Sequence, residues 1–370
     1  MAKVIVIGAG TMGGPLVNRL LNDKHNVAAV VTRKRHVSPA PWIQAPDAPL
    51  DPAFGEHVIA GVLDQHVNDV EVAFLAIPSD GVGRVEKDYI KYFTARGIYV
   101  VTFAKSALAY HYDALCNDLD LIGRSATVGG GTMILPWLKS HQLVGKTFTA
   151  YAYINASSNF FGDETSDGDS PEEAFRSAQN NRLAEPGSSD YVEFLNGEIG
   201  GDMPQKITIL MKDAVLPEGV QMTPSIFKYK TLDEEDVSKL TLPTGNYRYV
   251  ICISNKHTAP MFEPNRSGRL YGKVHGFTIS GGFYDISRNT DLSRWFKGGK
   301  ANGVKIRFEG KNSESGTVEI AGPGAGLATI GAAMNDMNDF LKHRTLGQAL
   351  ARLPHRHVPE IGAREKAGAE

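Results

Sequence analysis

Val4-Ile5-Val6-Ile7-Gly8-Ala9-Gly10-Thr11-Met12-Gly13 opens the chain, and Pro15-Leu16-Val17-Asn18-Arg19-Leu20-Leu21 comes soon after it. Four β-branched residues read as a buried strand, the second stretch as an amphipathic helix, and between them lies the spacing G-x-G-x-x-G. Strand, glycine turn and helix in that order form the fingerprint of a dinucleotide-binding unit. Gly8 allows the tight turn, Gly10 lets backbone approach a pyrophosphate, and Gly13 lets the helix pack on the sheet. Thr11 and Met12 complete the turn. The helix after the turn points its first amides and its dipole at the phosphates. The alternative is a glycine-rich strand–helix turn with no ligand.

The rest of the first third repeats the theme. Val27-Ala28-Ala29-Val30-Val31, Glu71-Val72-Ala73-Phe74-Leu75-Ala76-Ile77 and Tyr99-Val100-Val101-Thr102-Phe103 read as further strands, separated by helical spacing. That alternation predicts an α/β fold with a Rossmann-type, doubly wound parallel sheet over residues 1–135. Ser38 to Phe54, rich in Pro and Ala, reads as an irregular excursion.

From about residue 140 the pattern shifts to period-two alternation, as in Thr147-Phe148-Thr149-Ala150-Tyr151-Ala152-Tyr153-Ile154. Tyr247 to Ile253 and Val304 to Phe308 alternate similarly, with helical stretches at Pro171–Gln179 and Met203–Lys212 between them. Residues 140–326 are therefore expected to form an α+β substrate-binding and dimerisation domain. A last helix, 327–345, is expected to return to the first domain, and 354–370 to form a polar tail.

Bulk properties exclude several classes. The 370 residues are 42% hydrophobic and 22% charged, with a formal net charge of −2. That balance is ordinary for a globular enzyme and carries no basic footprint for nucleic acid or an anionic membrane surface. Two distant cysteines, Cys116 and Cys252, argue against a disulfide scaffold or a cysteine zinc site. The histidines show no metal-ligand spacing. With a strand beginning directly after Met1-Ala2-Lys3 and no long apolar run, the chain reads as cytoplasmic, with neither signal peptide nor membrane span.

The residues after the second strand choose between cofactors. A carboxylate there would bind a ribose 2′-hydroxyl, whereas cations would welcome a 2′-phosphate. Arg33-Lys34-Arg35 stands at that position, which favours NADP(H) over NAD(H). The other reading is a solvated basic loop. Strand-end geometry brings two more loops to the same edge. Ser79 in Pro78-Ser79-Asp80 could donate to a phosphate or ribose, or could cap the next helix. Lys105 in Phe103-Ala104-Lys105-Ser106 is a phosphate or substrate contact, or a rim lysine. Farther on, Asp202 followed by Pro204 and Gln205 has the form of a helix N-cap with a capping box. Lys206 lies one turn from Asp202 on the same face, so the carboxylate could hold a charged lysine that donates to an oxygen developing charge.

These segments, in this order, resemble the homoserine dehydrogenase family from Lys3 to about Leu341. Thr102-Phe103-Ala104-Lys105-Ser106-Ala107-Leu108 is similar to the family's lysine segment, and Ala126-Thr127-Val128-Gly129-Gly130-Gly131-Thr132 to its glycine-rich loop. Asn155-Ala156-Ser157-Ser158-Asn159 is similar to its substrate loop. Ser170-Pro171-Glu172-Glu173-Ala174, Ala184-Glu185-Pro186 and Gly201-Asp202-Met203-Pro204-Gln205-Lys206 come next, as the family's motifs do. Gly322-Pro323-Gly324-Ala325-Gly326 resembles the segment near the nicotinamide.

The resemblance implies an NADP- or NAD-linked interconversion of L-homoserine and L-aspartate 4-semialdehyde. Lys206 would relay the proton or polarise the carbonyl, Lys105 would support the same oxygen, and Asp202 would orient Lys206. Glu185 would receive the substrate ammonium, with Asn155, Ala156, Ser157, Ser158 and Asp190 around the substrate. Gly324 and Gly326 would join Gly8, Gly10, Thr11, Met12, Gly13, Arg33, Lys34, Arg35, Ser79 and Lys105 at the cofactor. Backbone carbonyls of Thr127, Gly129 and Gly131 would hold a monovalent cation, Na or K. A homodimer or homotetramer is implied, without a kinase module or a regulatory ACT domain.

Departures from the family cluster at the substrate. Alanines stand at Ala104 and Ala156, Gly187-Ser188 come after Pro186, and the Glu185-to-Asp202 interval is long. They keep open a related NADP-linked dehydrogenase for another amino-acid semialdehyde or amino alcohol. An NADP-binding protein without catalysis is the reading from another class.

Overall fold

A computed structural model describes residues 1–32, 42–44, 63–79, 81–184, 187–240, 246–256, 266–296, 298–308 and 316–351. Its first sheet is parallel and six-stranded. β1 (Lys3–Ile7), β2 (Asn26–Thr32), β3 (Trp42–Gln44), β4 (Val72–Leu75), β5 (Tyr99–Thr102) and β6 (Ile122–Gly123) stand in the order β3-β2-β1-β4-β5-β6. The order reverses at β1, the switch point outside which ligands bind in doubly wound sheets. β1 is apolar throughout because both of its faces are covered. Val4 and Val6 pack with Leu16 and Leu20 of α1 (Gly13–Asn22), while Ile5 and Ile7 pack with Ile90 and Phe93 of α2 (Arg84–Thr94). Fully burying each such side chain contributes about 1.5–3 kcal/mol.

The expected excursion at 38–54 contains a strand instead. Trp42-Ile43-Gln44 pairs in parallel with Val30-Val31-Thr32, at the edge of the sheet. Three residues after a proline-rich run carry too short a pattern to show their period. After β5 come α3 (Ser106–His111) and α4 (Ile134–Ser140).

The second sheet is antiparallel and seven-stranded. It is built from β7 (Phe148–Tyr153), β8 (Lys228–Tyr229), β9 (Tyr247–Ser254), β10 (Leu270–Val274), β11 (Phe277–Asp285), β12 (Ala301–Phe308) and β13 (Thr317–Pro323), in the order β13-β12-β7-β9-β11-β10-β8. Alternation predicts β7, β9 and the latter part of β12. It does not reveal the β10–β11 hairpin, whose two-residue turn, His275-Gly276, takes positive φ at both positions. A glycine after a short polar residue between apolar runs is the usual signal for such a turn.

Helices α5 (Ala156–Ser166), α6 (Pro171–Asn180), α7 (Tyr191–Asn196) and α8 (Met203–Ala214) lie between β7 and β8. Phe148, Ala150, Ala152 and Ile154 along β7 and beyond its end, Ile251 and Ile253 on β9, and Met203 and Ile207 on α8 share one core with the α2 side of the parallel sheet. The two sheets are therefore joined through continuous apolar packing. The last helix, Leu327–Ala351, packs Ile330, Ala333, Met334 and Met337 against the α1 face of the parallel sheet. The 354–370 tail lies outside the described residues. No helix among the described residues is long and apolar enough to cross a membrane.

Candidate active site

The glycine turn after β1 has the geometry that its spacing predicts. A Cβ on Gly13 would lie 2.1 Å from the Gly8 carbonyl oxygen, so only glycine lets α1 start this close to the strand. Gly8, at φ +96°, presses on Ala76, where a Cβ would meet the carbonyl oxygen at 2.3 Å. Gly10 is different: a Cβ there would meet nothing within 4 Å. Packing gives no reason for its missing side chain, whereas a ligand approaching the backbone would. Thr11 is exposed and Met12, at the cap position of α1, packs partly against the core. No side chain caps α1 and its first turn carries no acidic residue, which leaves the positive end of the helix open to an anion. Arg33, Lys34 and Arg35 lie outside the described residues.

The loops after β1, β4 and β5 meet at the carboxyl edge of the sheet. Ala76 N donates to Ile7 O at 2.8 Å and Phe103 N to Leu75 O at 3.0 Å. The Ser79 hydroxyl oxygen accepts from Lys105 N at 2.7 Å. Ser79 thus fixes the backbone of Lys105. Ala104 is buried and turns on the Thr102 hydroxyl, which accepts from Ala104 N at 3.1 Å.

Lys105 and Lys206, a hundred residues apart, converge on Asp202. Lys105 Nζ lies 3.0 Å from Asp202 Oδ1, and Lys206 Nζ 2.6 Å from Oδ2. The side chains of Lys105, Asp202 and Lys206 are 19%, 16% and 15% exposed, so the cluster is largely dewatered yet reachable. Burial opposes ionisation of Asp202, but the Lys105 and Lys206 ammoniums beside it hold its carboxyl well below the ordinary carboxylate range.

Asp202 is not the helix cap that its spacing to Gln205 predicts. It has helical backbone, φ −73° and ψ −41°, and makes no capping bond. The chain enters α8 from α7 through a π-helical turn, Gly197–Asp202, so no free helix start exists at Asp202. Gln205 instead accepts from the Ser106 hydroxyl at 3.1 Å, which ties α8 to the start of α3. A π turn inserts a residue and rotates the helix beyond it, and such turns concentrate at functional sites. Glu198 and Asp202 both lie within this one. Asn155 Nδ2 donates to both, at 2.6 Å to Glu198 Oε2 and 3.2 Å to Asp202 Oδ2. Glu198 is not singled out by the sequence because its partner Asn155 lies 43 residues away on another element.

The expected substrate loop is the first turn of a helix. Asn155 caps α5, its Oδ1 accepting from Ser158 N at 2.8 Å while its amide faces the two carboxylates. Ala156 is buried in that turn. Ser158 Oγ donates to Asn155 O at 3.3 Å, and Ser157 Oγ to Leu183 O at 3.0 Å. The hydroxyls are thus engaged within the protein, and Ser157 ties the chain just ahead of residue 185 to this turn. Glu185 itself lies outside the described residues. Asp190 is exposed and stands apart from the cluster: it caps α7, accepting from Glu193 N at 2.8 Å. The long interval before Asp202 is occupied by that capped helix and the π turn.

The glycine-rich loop and the Gly322–Gly326 segment pack on each other. A Cβ on Gly130 would lie 1.9 Å from Gly324 O, and the Thr132 hydroxyl donates to Pro323 O at 3.0 Å. Gly326 takes φ +71° ahead of the last helix. Around Thr127, Gly129 and Gly131 the groups are backbone: Thr127 N bonds Arg124 O and Gly129 O accepts from Thr132 N. No cluster of three acidic, histidine or cysteine ligands occurs among the described residues.

Known structures share this architecture. A homoserine dehydrogenase from Thiobacillus denitrificans is 19% identical with a TM-score of 0.64, over 96% of this chain and 76% of that one. One from Thermoplasma acidophilum is 17% identical with a TM-score of 0.62, over 92% and 99%. A hyperthermophilic archaeal homoserine dehydrogenase in complex with NADPH is 20% identical with a TM-score of 0.60, over 92% and 98%. No family model matches the chain, and no curated protein matches it in sequence. The likeness establishes the fold: a Rossmann-type parallel sheet with a second, antiparallel-sheet domain, as in homoserine dehydrogenases.

Proposed function

We propose that this chain is an NADP(H)-dependent oxidoreductase that interconverts L-homoserine and L-aspartate 4-semialdehyde. The observation that carries the reading is the convergence of Lys105 and Lys206 on Asp202, one hydrogen bond from the loop that adjoins the glycine turn. Gly8, Gly10, Thr11, Met12 and Gly13 would cradle the pyrophosphate, Ser79 would donate to a phosphate or ribose, and Gly324 and Gly326 would line the nicotinamide end. Arg33, Lys34 and Arg35 would take the 2′-phosphate. When bound, the cofactor supplies or accepts the hydride.

The protein's own residues handle the oxygen and its proton. In reduction of the aldehyde, Lys105 and Lys206 donate hydrogen bonds to the carbonyl oxygen as negative charge develops there. A positioned donor of this kind is worth about 10²–10³ in kcat. Lys206 then gives its proton to the alkoxide; in oxidation it takes the hydroxyl proton back. Asp202 remains ionised throughout and fixes both lysines. Glu185 and Glu198 would receive the substrate ammonium, with the first turn of α5 beside its carboxylate. A monovalent cation on the Thr127, Gly129 and Gly131 carbonyls, and a homodimer or homotetramer in the cytoplasm, belong to the same reading.

A second substrate has specific support. Ala104 and Ala156 stand where the resembled family has other residues, and Asp190 serves a surface cap. Initial rates with L-homoserine and a panel of amino alcohols, each with NADP and NAD, decide between them. Homoserine with NADP should give the highest kcat/KM. Turnover of another amino alcohol with homoserine inert would transfer the assignment to that substrate. Binding of NADP without turnover of any would leave a non-catalytic binder.

A further inference from the structure

The turn that carries Lys105 is clamped by a residue that neither the fingerprint nor the resemblance singles out. Glu86, in the first turn of α2, has no exposed surface, and its Oε2 accepts from Ala107 N at 2.6 Å. That amide belongs to the first turn of α3, directly after Lys105. The two helix starts are pressed together, since a Cβ on Gly83 would lie 2.3 Å from the same Ala107 nitrogen. Around Lys105 the backbone is held at successive residues. Ala104 N is bound by Thr102, Lys105 N by Ser79 and Ala107 N by Glu86, while the Ser106 hydroxyl reaches across to Gln205 on α8.

A carboxylate in the first turn of a helix ordinarily serves the orphan amides of its own helix. Glu86 reaches another helix, at Ala107 N. The bond is short, and burial shields it from water. Lys105 carries its Nζ on a long stem, so the place where its Cα is fixed decides whether Nζ reaches Asp202 in the observed geometry. A displacement of about 1 Å at a reacting group can cost 10²-fold in rate.

We infer that Glu86 is a positioning residue, which fixes the start of α3 so that Lys105 meets Asp202 and the reacting oxygen. It touches neither substrate nor cofactor. The inference rests on the proposed function only for its kinetic readout.

The test compares Glu86→Ala, which removes the acceptor, with Glu86→Gln, which keeps a carbonyl oxygen at the same reach. In homoserine oxidation with NADP, Glu86→Ala should lower kcat about 10- to 100-fold, with KM for NADP changed less than about threefold. Glu86→Gln should recover at least a third of the lost kcat. A second readout does not need turnover: trinitrobenzenesulfonate modification of Lys105, followed by peptide mass spectrometry on the intact folded chain. Lys105 should react several-fold faster in Glu86→Ala than in wild type, and at near wild-type rate in Glu86→Gln. If wild type fails to oxidise homoserine, the function is wrong while the labelling still decides the role of Glu86. Equal labelling in all three proteins, or Glu86→Gln as impaired as Glu86→Ala in both readouts, overturns the inference. Should Glu86→Ala not fold, Glu86→Asp, which withdraws the acceptor by one methylene, takes its place with the same expected direction.

Discussion

Gly10 and Gly13 are three residues apart and lack a side chain for opposite reasons. Gly13 has no room, because a Cβ would collide with the Gly8 carbonyl oxygen, whereas Gly10 faces open space. Gly13→Ala should therefore destabilise the fold by about 1–3 kcal/mol, the range for overpacking, and lower the Tm. Gly10→Ala should leave the Tm within about 2 °C of wild type, since an uncrowded surface change costs within about ±0.5 kcal/mol. It should nonetheless weaken NADP binding at least about tenfold, because the methyl group intrudes where the pyrophosphate approaches. Differential scanning fluorimetry and a fluorescence titration read both. A Gly10→Ala protein that binds NADP as wild type does would remove the cofactor role assigned to the turn. The spacing alone makes both glycines legible; only their surroundings separate the crowded Gly13 from the open Gly10.

At the scale of elements, the sequence is most legible where a pattern runs long enough to show its period. β1, β2, β7 and β9 declare themselves by apolar runs or alternation, while Trp42–Gln44 and the β10–β11 hairpin do not. Asp202 shows the limit more sharply. Its spacing to Gln205 is that of a cap, yet the helix enters through a π turn, so the carboxylate turns to Lys105, Lys206 and Asn155. The last helix illustrates what a buried acid does to an element. Asp336 accepts from Ser125 N at 2.9 Å and from Ser125 Oγ at 2.6 Å, and Phe340 stacks on Tyr99 at 4.2 Å. Burial raises the Asp336 carboxyl above its ordinary value, and the Ser125 bonds only partly offset this. A carboxyl raised in the folded state binds its proton more tightly there than in the unfolded chain. Stability should therefore fall as pH rises from about 3.9 through the folded value of Asp336, and stay lower above it. Asp336→Asn, which keeps an acceptor for Ser125, should lack that fall. Urea unfolding of both proteins from acid to neutral pH checks this, and parallel pH profiles would refute it.

Across the whole molecule, the Lys105–Asp202–Lys206 cluster lies where two sheets of different kind share one core. The parallel sheet supplies the glycine turn, Ser79 and Lys105, while the helices between the antiparallel strands supply Asn155, Glu198, Asp202 and Lys206. Lys105, Asp202 and Lys206 can be nominated from sequence because two lie one helical turn apart and the third ends a core strand. Glu198 and Glu86 cannot, because each finds its partner only through tertiary packing across elements far apart in the chain. Lys206, held on Asp202, should transfer the proton that accompanies hydride transfer, and the proposed reaction depends on that step. Its most direct test is NADPH formation from L-homoserine by wild type and Lys206→Ala side by side, with NADP affinity measured on each. Wild type should turn over, and Lys206→Ala should lose at least about 10²-fold in kcat while keeping NADP affinity within about threefold. Turnover at the wild-type rate in Lys206→Ala would contradict the proton-transfer role.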